Sequence, residues 1–476
     1  MNQLHTPLYS ALVSHFKKEP ISYHVPGHKS GMVFSQKGYN HFESILKLDM
    51  TEISGLDDLH DPEGAILEAQ QLTARLYGVK ESFFLVNGST VGNLAMILAT
   101  CEEGDTVLVQ RNSHKSVMNG LQLAGVKPVF LAPEYDSNVK VASNVSENAV
   151  IEALRRYPKA KALLLTNPNY YGMSADLSMI VKLAHENGTV VLVDEAHGAH
   201  FMSNVFPSSA IVYGADIVVH SAHKTLPALT MGSYLHFNSD SINIDRLKYY
   251  LQMLQSSSPS YPIMASLDLA RHYLASLSPK DFNLIMEHAI SFRDGLNRID
   301  GLKVVQSTDK SIDQDILKIT VQSECNLSGY ELHKRFENEG IYTELADPNN
   351  TLFVLALSKM QYPLETLDKI NESVRDVTKK KSKSNREIPL NTAKISELAI
   401  QYKEQKGYNK KVVPIKESIG EIAAEMVTPY PPGIPILVIG ENITSEHVDL
   451  LLAYKSSGSK FQGSTSILNN SLEVFT

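Results

Sequence analysis

The chain reads as an α/β protein built on a mostly parallel sheet, and three observations say so. From residue 82 to 219, short apolar runs alternate with longer stretches of helical pattern. Polar strings follow those runs directly: Asn87-Gly-Ser-Thr90 after Ser82–Val86, Asp194-Glu-Ala-His197 after Thr189–Val193, and His220-Ser-Ala-His-Lys-Thr225 after Asp216–Val219. Open α/β sheets bind ligands at the carboxyl ends of their strands, where these strings fall. From about residue 285 the texture changes to that of a smaller α+β domain.

Each element has its own warrant. Residues 4–18 place Leu8, Leu12, Val13 and Phe16 on one helical face. Tyr23–Gly31 is rich in Gly, Pro and His and reads as a loop, and residues 51–64 are irregular and acidic. Ile66, Leu67, Ala69, Leu72 and Leu76 predict a helix over 65–77. Then come the strand Ser82–Val86, a helix from Gly88 to about Thr100, the strand Thr106–Val109 and a helix from about Ser116. The strand Ala162–Thr166, a helix over 176–186 and the strand Thr189–Val193 lead to Asp194, and Asp216–Val219 leads to Lys224. A helix over 282–298, strands Leu302–Gln306 and Ile316–Val321 and a helix over 329–339 make the smaller domain. Lys379–Arg386 is a polar, basic tether. A helix near 391–404 and the proline-rich run Val427–Pro435 belong to a last module. The expected organisation is therefore an N-terminal segment (1–40), a large domain (41–280), a small α+β domain (281–378), a linker (379–390) and a C-terminal module (391–476).

Composition narrows the class. A chain of 476 residues, 43% hydrophobic and 20% charged, can bury a large core over two or three domains. A net charge of −8 argues against a nucleic-acid partner, which selects for basic excess. Cys101 and Cys325 have no partner at metal-ligand spacing, so neither a metal site nor a disulfide framework is expected. The N-terminus lacks a basic-then-apolar leader, and no apolar run reaches the length of a membrane span, so the expected location is the cytoplasm.

The polar strings carry the chemistry. Lys224, past a buried strand and beside Ser221 and His223, presents an amine that can condense with an aldehyde. Asp194, ending an earlier strand, offers a carboxylate that keeps a pyridine nitrogen protonated and turns the ring into an electron sink. Together they describe a pyridoxal phosphate site. Gly88, Ser89 and Thr90 open a helix where backbone N–H groups and the helix dipole favour a phosphate, with Ser221 and His223 as its second grip. His197 is placed to reach the ring's phenolic oxygen or the lysine nitrogen, and His114 to stack on the ring face. Each piece alone has an ordinary reading: a solvated lysine, a Ser/Thr helix cap, a histidine packed under a loop. All of them in order at successive strand ends are hard to assemble by chance.

The same strings carry a resemblance. His24-Val-Pro-Gly-His-Lys29, Gly55-Leu-Asp-Asp-Leu-His-Asp-Pro-Glu-Gly64, Asn87–Thr90, Asn112-Ser-His-Lys115, Asp194-Glu-Ala-His-Gly-Ala-His200, Ser221–Lys224 and Pro429-Tyr-Pro-Pro-Gly-Ile-Pro435 extend over nearly the whole chain. With them it resembles the bacterial ornithine/lysine/arginine decarboxylases, which have the aspartate-aminotransferase type fold and use pyridoxal phosphate. The resemblance implies Lys224 as the cofactor lysine, Asp194 at the ring nitrogen, His114 on the ring, and Ser89, Thr90, Ser221 and His223 around the phosphate. It implies a C-terminal module that brings an acid near the substrate, for which Glu441 is the candidate; Asp57, Asp58 and Asp61 are the alternatives. Two departures from the family pattern occur, Asn169 within Pro168-Asn-Tyr170, where the family reads Pro-Thr-Tyr, and Ile439 within Ile439-Gly-Glu441, where it reads Pro-Gly-Glu. The resemblance is to the short type, for which no N-terminal wing domain is expected.

The expected reaction is α-decarboxylation of a basic amino acid, arginine or lysine before ornithine, in polyamine or diamine formation, by a homodimer or higher homo-oligomer. An aminotransferase or aldolase of the same fold is the rival enzyme, with Arg335 as its carboxylate-binding arginine. A cofactor-binding regulator without turnover is the rival of another class.

Overall fold

A computed structural model describes residues 2–325, 327–377, 394–430, 433–456, 458–462, 464 and 466–476. The fold is α/β with a large, mostly parallel sheet, as the alternation predicts. The chain divides into two compact units, one of residues 1–100, 192–202 and 209–278, the other of 101–191, 203–208 and 279–476.

In the first unit, the helices Pro7–Phe16, Ala65–Tyr77 and Tyr261–Ser276 pack on one another, and Leu8, Leu12, Ile66, Leu72 and Leu267 on them are fully buried. The N-terminal helix has no side-chain cap of its own. Its orphan donors are met from a distance: Asp268 Oδ2 accepts from the Leu8 N–H at 3.1 Å and the Tyr9 N–H at 3.3 Å. Asp268 is itself paired with Arg271 at 2.6 Å, both side chains fully buried.

The strand Glu81–Leu85 pairs antiparallel with Ser233–Phe237, which pairs antiparallel with Ile217–His220. Ile217–His220 then runs parallel to Val190–Asp194, with Asp194 opposite Val219. Both of these strands therefore end at the same edge. The helix Gly88–Thr100 lies close over them; a Cβ at Gly92 would stand 2.8 Å from Leu85 Cδ1 and 2.9 Å from Val219 Cγ1. Alternation of strand and helix carries no information on the antiparallel strand Ser233–Phe237, because strand direction is set by pairing rather than by local pattern.

The acidic loop is organised by one residue. Asp57, at φ 73°, accepts from the N–H groups of Asp58 and Glu63 on Oδ1 and of Gly64, Ile66 and Leu67 on Oδ2, at 2.8–3.2 Å. It caps the helix Ala65–Tyr77 and closes the loop around its own carboxylate. Asp57→Ala should lower stability by about 2 kcal/mol, seen as a drop in thermal midpoint. Asp57→Asn, which keeps one acceptor and tolerates the left-handed backbone, should lose less; equal losses would contradict the capping account.

In the second unit, Thr106–Gln110 runs parallel to Lys127–Leu131 and to Ala162–Thr166. Ile395–Glu397 pairs antiparallel along Lys127–Leu131, from Ile395 opposite Leu131 to Glu397 opposite Val129. Here the expectation of a helix near 391–404 fails. The described part of that stretch, from 394, is this strand followed by turns, with Leu398, Ile400 and Tyr402 buried. Edge pairing and burial override a local pattern that suits either state. The expected linker at 379–390 lies outside the described residues. Leu302–Val305, Lys318–Ser323, Asn350–Val354 and Leu345–Ala346 form an antiparallel sheet accompanied by the helices Pro279–Asn297, Gly329–Asn338 and Leu364–Val374. Toward the C-terminus, Val427, Leu437, Ile443, Val448, Leu451, Ile467, Leu472 and Val474 share one apolar core.

Candidate active site

Lys224 sits in a single helical turn, Ala222–Thr225, just past the strand Ile217–His220. The turn is pinned by its own backbone: the His223 N–H donates to Gly232 O, Lys224 N–H to Ser221 O, and Ser221 N–H to Ala196 O, at 3.0–3.2 Å. The last bond ties the lysine turn to the Asp194–His197 turn. The side chains meet as well, with Lys224 Nζ 3.3 Å from His197 Nε2. An ammonium can only donate, so His197 Nε2 accepts and its ring proton belongs on Nδ1.

Asp194 ends its strand 3% exposed. Its Oδ2 accepts from Asn93 Nδ2 at 2.8 Å and its Oδ1 from the Ala196 N–H at 3.2 Å. Asn93 is the residue that sequence reasoning passed over. It lies inside the helix Gly88–Thr100, five residues past Gly88, and fixes the plane of the carboxylate from the helix that opens at the glycine.

At the start of that helix Gly88 has φ 77°, and no atom stands within 4 Å of where its Cβ would be. Its own N–H is already used, donating to Met231 O at 3.0 Å. Ser221 Oγ donates to Ser89 Oγ at 2.7 Å, so these two predicted hydroxyls converge. Thr90 follows, exposed, and His223 is half-buried. Thr225 Oγ1 is buried with no hydrogen-bond partner.

Beneath this lies a buried polar chain that the sequence did not suggest. Glu195 Oε2 accepts from the Ala210 N–H at 2.6 Å, and its Oε1 meets His220 Nε2 at 2.9 Å. His220 Nδ1 lies 3.1 Å from His236 Nε2, and His236 Nδ1 lies 2.8 Å from Ser82 Oγ. Burial, then the neighbouring His220, holds the His236 imidazole well below the usual histidine pKa, hence neutral. Gly198 is required here: a Cβ on it would stand 2.6 Å from Glu195 Cγ.

His114 and Glu441 belong to the second unit. His114 caps the helix Lys115–Ala124, its Nδ1 accepting from the Ser116 N–H at 3.2 Å. In a neutral ring the proton is then on Nε2, the edge that faces Gly433. A Cβ on Gly433, which has φ 90°, would stand 3.2 Å from His114 Nε2 and Cδ2. Glu441 does not stand ready for an incoming cation. Arg111 Nε donates to its Oε1 at 3.0 Å and Nη2 to its Oε2 at 2.8 Å, while the Val438 N–H donates to Oε2 at 3.0 Å. Of the other acids, Asp57 is saturated by backbone as described, and Asp58 Oδ1 accepts from the His60 N–H at 2.8 Å. Arg335, the aminotransferase candidate, is paired with Asp376 at 2.7 Å and donates to Ser373 O.

The pattern of the Orn/Lys/Arg decarboxylase major domain matches residues 6–324, and that of the Orn/Lys/Arg decarboxylase C-terminal domain matches 390–469. The chain belongs to the Orn/Lys/Arg decarboxylase family. This decarboxylase is 46% identical to the uncharacterized protein YaaO of Bacillus subtilis, over 99% of each chain. It is 36% identical to the arginine decarboxylase of the same organism, over 97% of this chain and 96% of that one. Its fold matches the constitutive lysine decarboxylase of Escherichia coli with a TM-score of 0.81 at 20% identity, covering 99% of this chain and 82% of the other. It also matches the serine palmitoyltransferase of Sphingomonas wittichii with a TM-score of 0.54 at 18% identity, covering 73% and 85%.

The decarboxylase depends on pyridoxal phosphate, as its family does. The first unit fits that group. Open space at Gly88, the converging hydroxyls of Ser89 and Ser221 and the unpartnered Thr225 Oγ1 suit a phosphate monoester. A buried, oriented carboxylate suits a pyridinium, and an amine at the same sheet edge suits an aldehyde. Among the described residues no cluster of acids, histidines and cysteines could hold a metal ion.

Proposed function

We propose that the chain removes the α-carboxylate of a basic amino acid, arginine or lysine before ornithine, to give the amine and carbon dioxide. The observation that carries this reading is the Lys224–His197 contact at the strand edge that also ends in Asp194. The full-length relationship to arginine decarboxylases supports a basic substrate. Bound pyridoxal phosphate supplies a cationic pyridine ring that accepts the electron pair left by departing carbon dioxide.

The chain's own residues do the rest. Lys224 would hold the aldehyde end and Asp194 the ring nitrogen. Gly88, Ser89, Thr90, Ser221 and His223 would hold the phosphate, Thr225 would add a hydroxyl to that set, and His114 would cover the ring. His197 Nε2 can take a proton from the Lys224 ammonium, leaving a nucleophilic amine. Lys224 and His223 are the candidates for returning a proton to Cα. Asn93 keeps the Asp194 carboxylate turned to its task.

Within this reading the chain acts as a homodimer or larger homo-oligomer in the cytoplasm, without a nucleic-acid partner. Ile21, Tyr23, Met32 and Val33, between 65% and 95% exposed in one short N-terminal stretch, supply an apolar surface for a second copy. Among the described residues no helix is long and apolar enough to cross a membrane. The net charge of −8 supports the absence of nucleic acid.

The test is carbon dioxide release and amine identification with arginine, lysine and ornithine. Turnover of one of them, with the matching amine, is the expected result. Keto-acid formation would favour the aminotransferase, against which the commitment of Arg335 to Asp376 already speaks. A bound cofactor with no turnover of any of the three would favour the regulator.

A further inference from the structure

The acid that looks free in the sequence is firmly engaged in the second unit. Arg111 spends four of its five N–H donors: two on the Glu441 carboxylate, one on Pro435 O at 2.8 Å and one on Ile436 O at 3.0 Å. The pair is only 14% and 9% exposed by side chain, and Phe130 lies under the guanidinium with its ring centroid 5.4 Å from Cζ. Glu441 is held from its other side by the Val438 N–H, and the turn before it needs glycine: a Cβ on Gly440 would stand 2.3 Å from Ile400 O. Tyr402 and His447 face the pair, and burial raises the pKa of the phenol and lowers that of the imidazole, so neither competes as a charge.

What the fork grips is the loop Gly433–Ile436, and that loop lies on His114. The Lys115 N–H donates to Gly433 O at 3.1 Å, and the bare Cα of Gly433 leaves room for the imidazole edge. Arg111 and His114 are three residues apart, so one segment both clamps the loop and is covered by it.

We infer that Arg111 and Glu441 act as one clasp that holds the Gly433–Ile436 loop against His114, so that Glu441 serves the reaction by positioning His114 and not by receiving the substrate's cation. This rests on the reading above in which His114 covers the cofactor ring. A bidentate, nearly buried pair is costly to separate, since either partner alone is left as an unpaired charge. An incoming amino acid would have to break it to use Glu441.

The test uses the full chain loaded with pyridoxal phosphate, in the variants Arg111→Gln, Glu441→Gln, the double variant, Gly433→Ala and His114→Ala. Three quantities are read: the visible circular dichroism of the bound cofactor, the cofactor dissociation constant, and kcat and KM for arginine and lysine. Both single variants should lose cofactor dichroism in the same sense as His114→Ala. Each should lower kcat by about tenfold, the scale of a misplaced supporting group, with KM changed by less than about threefold. The double variant should be no worse than the worse single, as for two residues acting as a unit. Gly433→Ala touches neither charge and should give the same signature, which keeps the test open if Arg111→Gln does not fold. A Glu441→Gln variant that raises KM for the basic amino acid about tenfold or more, while Arg111→Gln leaves KM and dichroism alone, would overturn the inference. If His114→Ala itself leaves the dichroism unchanged, the assignment of His114 to the ring has failed, and the clasp's link to it fails for that reason. If His114→Ala loses the signal and the clasp variants keep it, the clasp alone is wrong.

Discussion

Lys224→Ala should abolish amine formation and, in the same protein, the visible absorbance of lysine-bound cofactor. The two losses have one cause. Nζ of residue 224 is the nitrogen that the lysine turn delivers to His197 Nε2, and alanine removes the nucleophile while leaving the pinned turn intact. The drop in kcat should exceed about 10³-fold, the scale on which loss of one covalent member of a catalytic group is felt. The backbone bonds of His223, Lys224 and Ser221 do not involve the side chain, so the thermal midpoint of the apoprotein should hardly move. An alanine variant that stays yellow and active would end the assignment, because it would show that the aldehyde is captured elsewhere.

Asp194→Asn should be the next most damaging change, lowering kcat by about 10²–10³-fold with the cofactor still bound. The substitution is nearly isosteric and removes a charge. Asp194 is 3% exposed, and an amide there can still accept from Asn93 Nδ2, so the strand and the helix Gly88–Thr100 keep their contact. What is lost is the negative end that holds a pyridinium proton in a site screened from water. Lys224 and the phosphate cradle are untouched, so the colour should persist and its response to substrate should fail. Stopped-flow absorbance with the basic amino acid checks this directly. A variant with native kcat would mean that the ring nitrogen is not held by residue 194.

How much of this the sequence disclosed depends on the distance between partners. Asp194 and Lys224 are legible because each follows an apolar run whose burial on both faces shows in the residues themselves. Ser89 and Ser221 are legible singly, and their 2.7 Å meeting follows once the strand ends are aligned. Asn93 is hidden because a polar residue inside a helix looks ordinary until the strand it faces is known. Glu441 misleads for the opposite reason. It reads as an unengaged acid, and the arginine that engages it lies 330 residues earlier. Asp57 looks like one more solvated charge in an acidic loop, yet local N–H groups consume its carboxylate. Ile395–Glu397 shows the remaining limit: three residues on a sheet edge carry too little pattern to oppose a helical one, and only pairing with Val129–Leu131 decides them.

The row Ser82, His236, His220, Glu195 has a direction. A neutral His236 gives one proton and takes one, and with His220 donating from Nε2 to the Glu195 carboxylate every arrow points from the hydroxyl toward the carboxylate. The three protons are interlocked; turning one requires turning all, and none of the four side chains touches solvent appreciably. Their exchange with deuterium should therefore be slow and simultaneous, which makes these imidazole resonances an internal clock for how often the strands under Lys224 part during turnover.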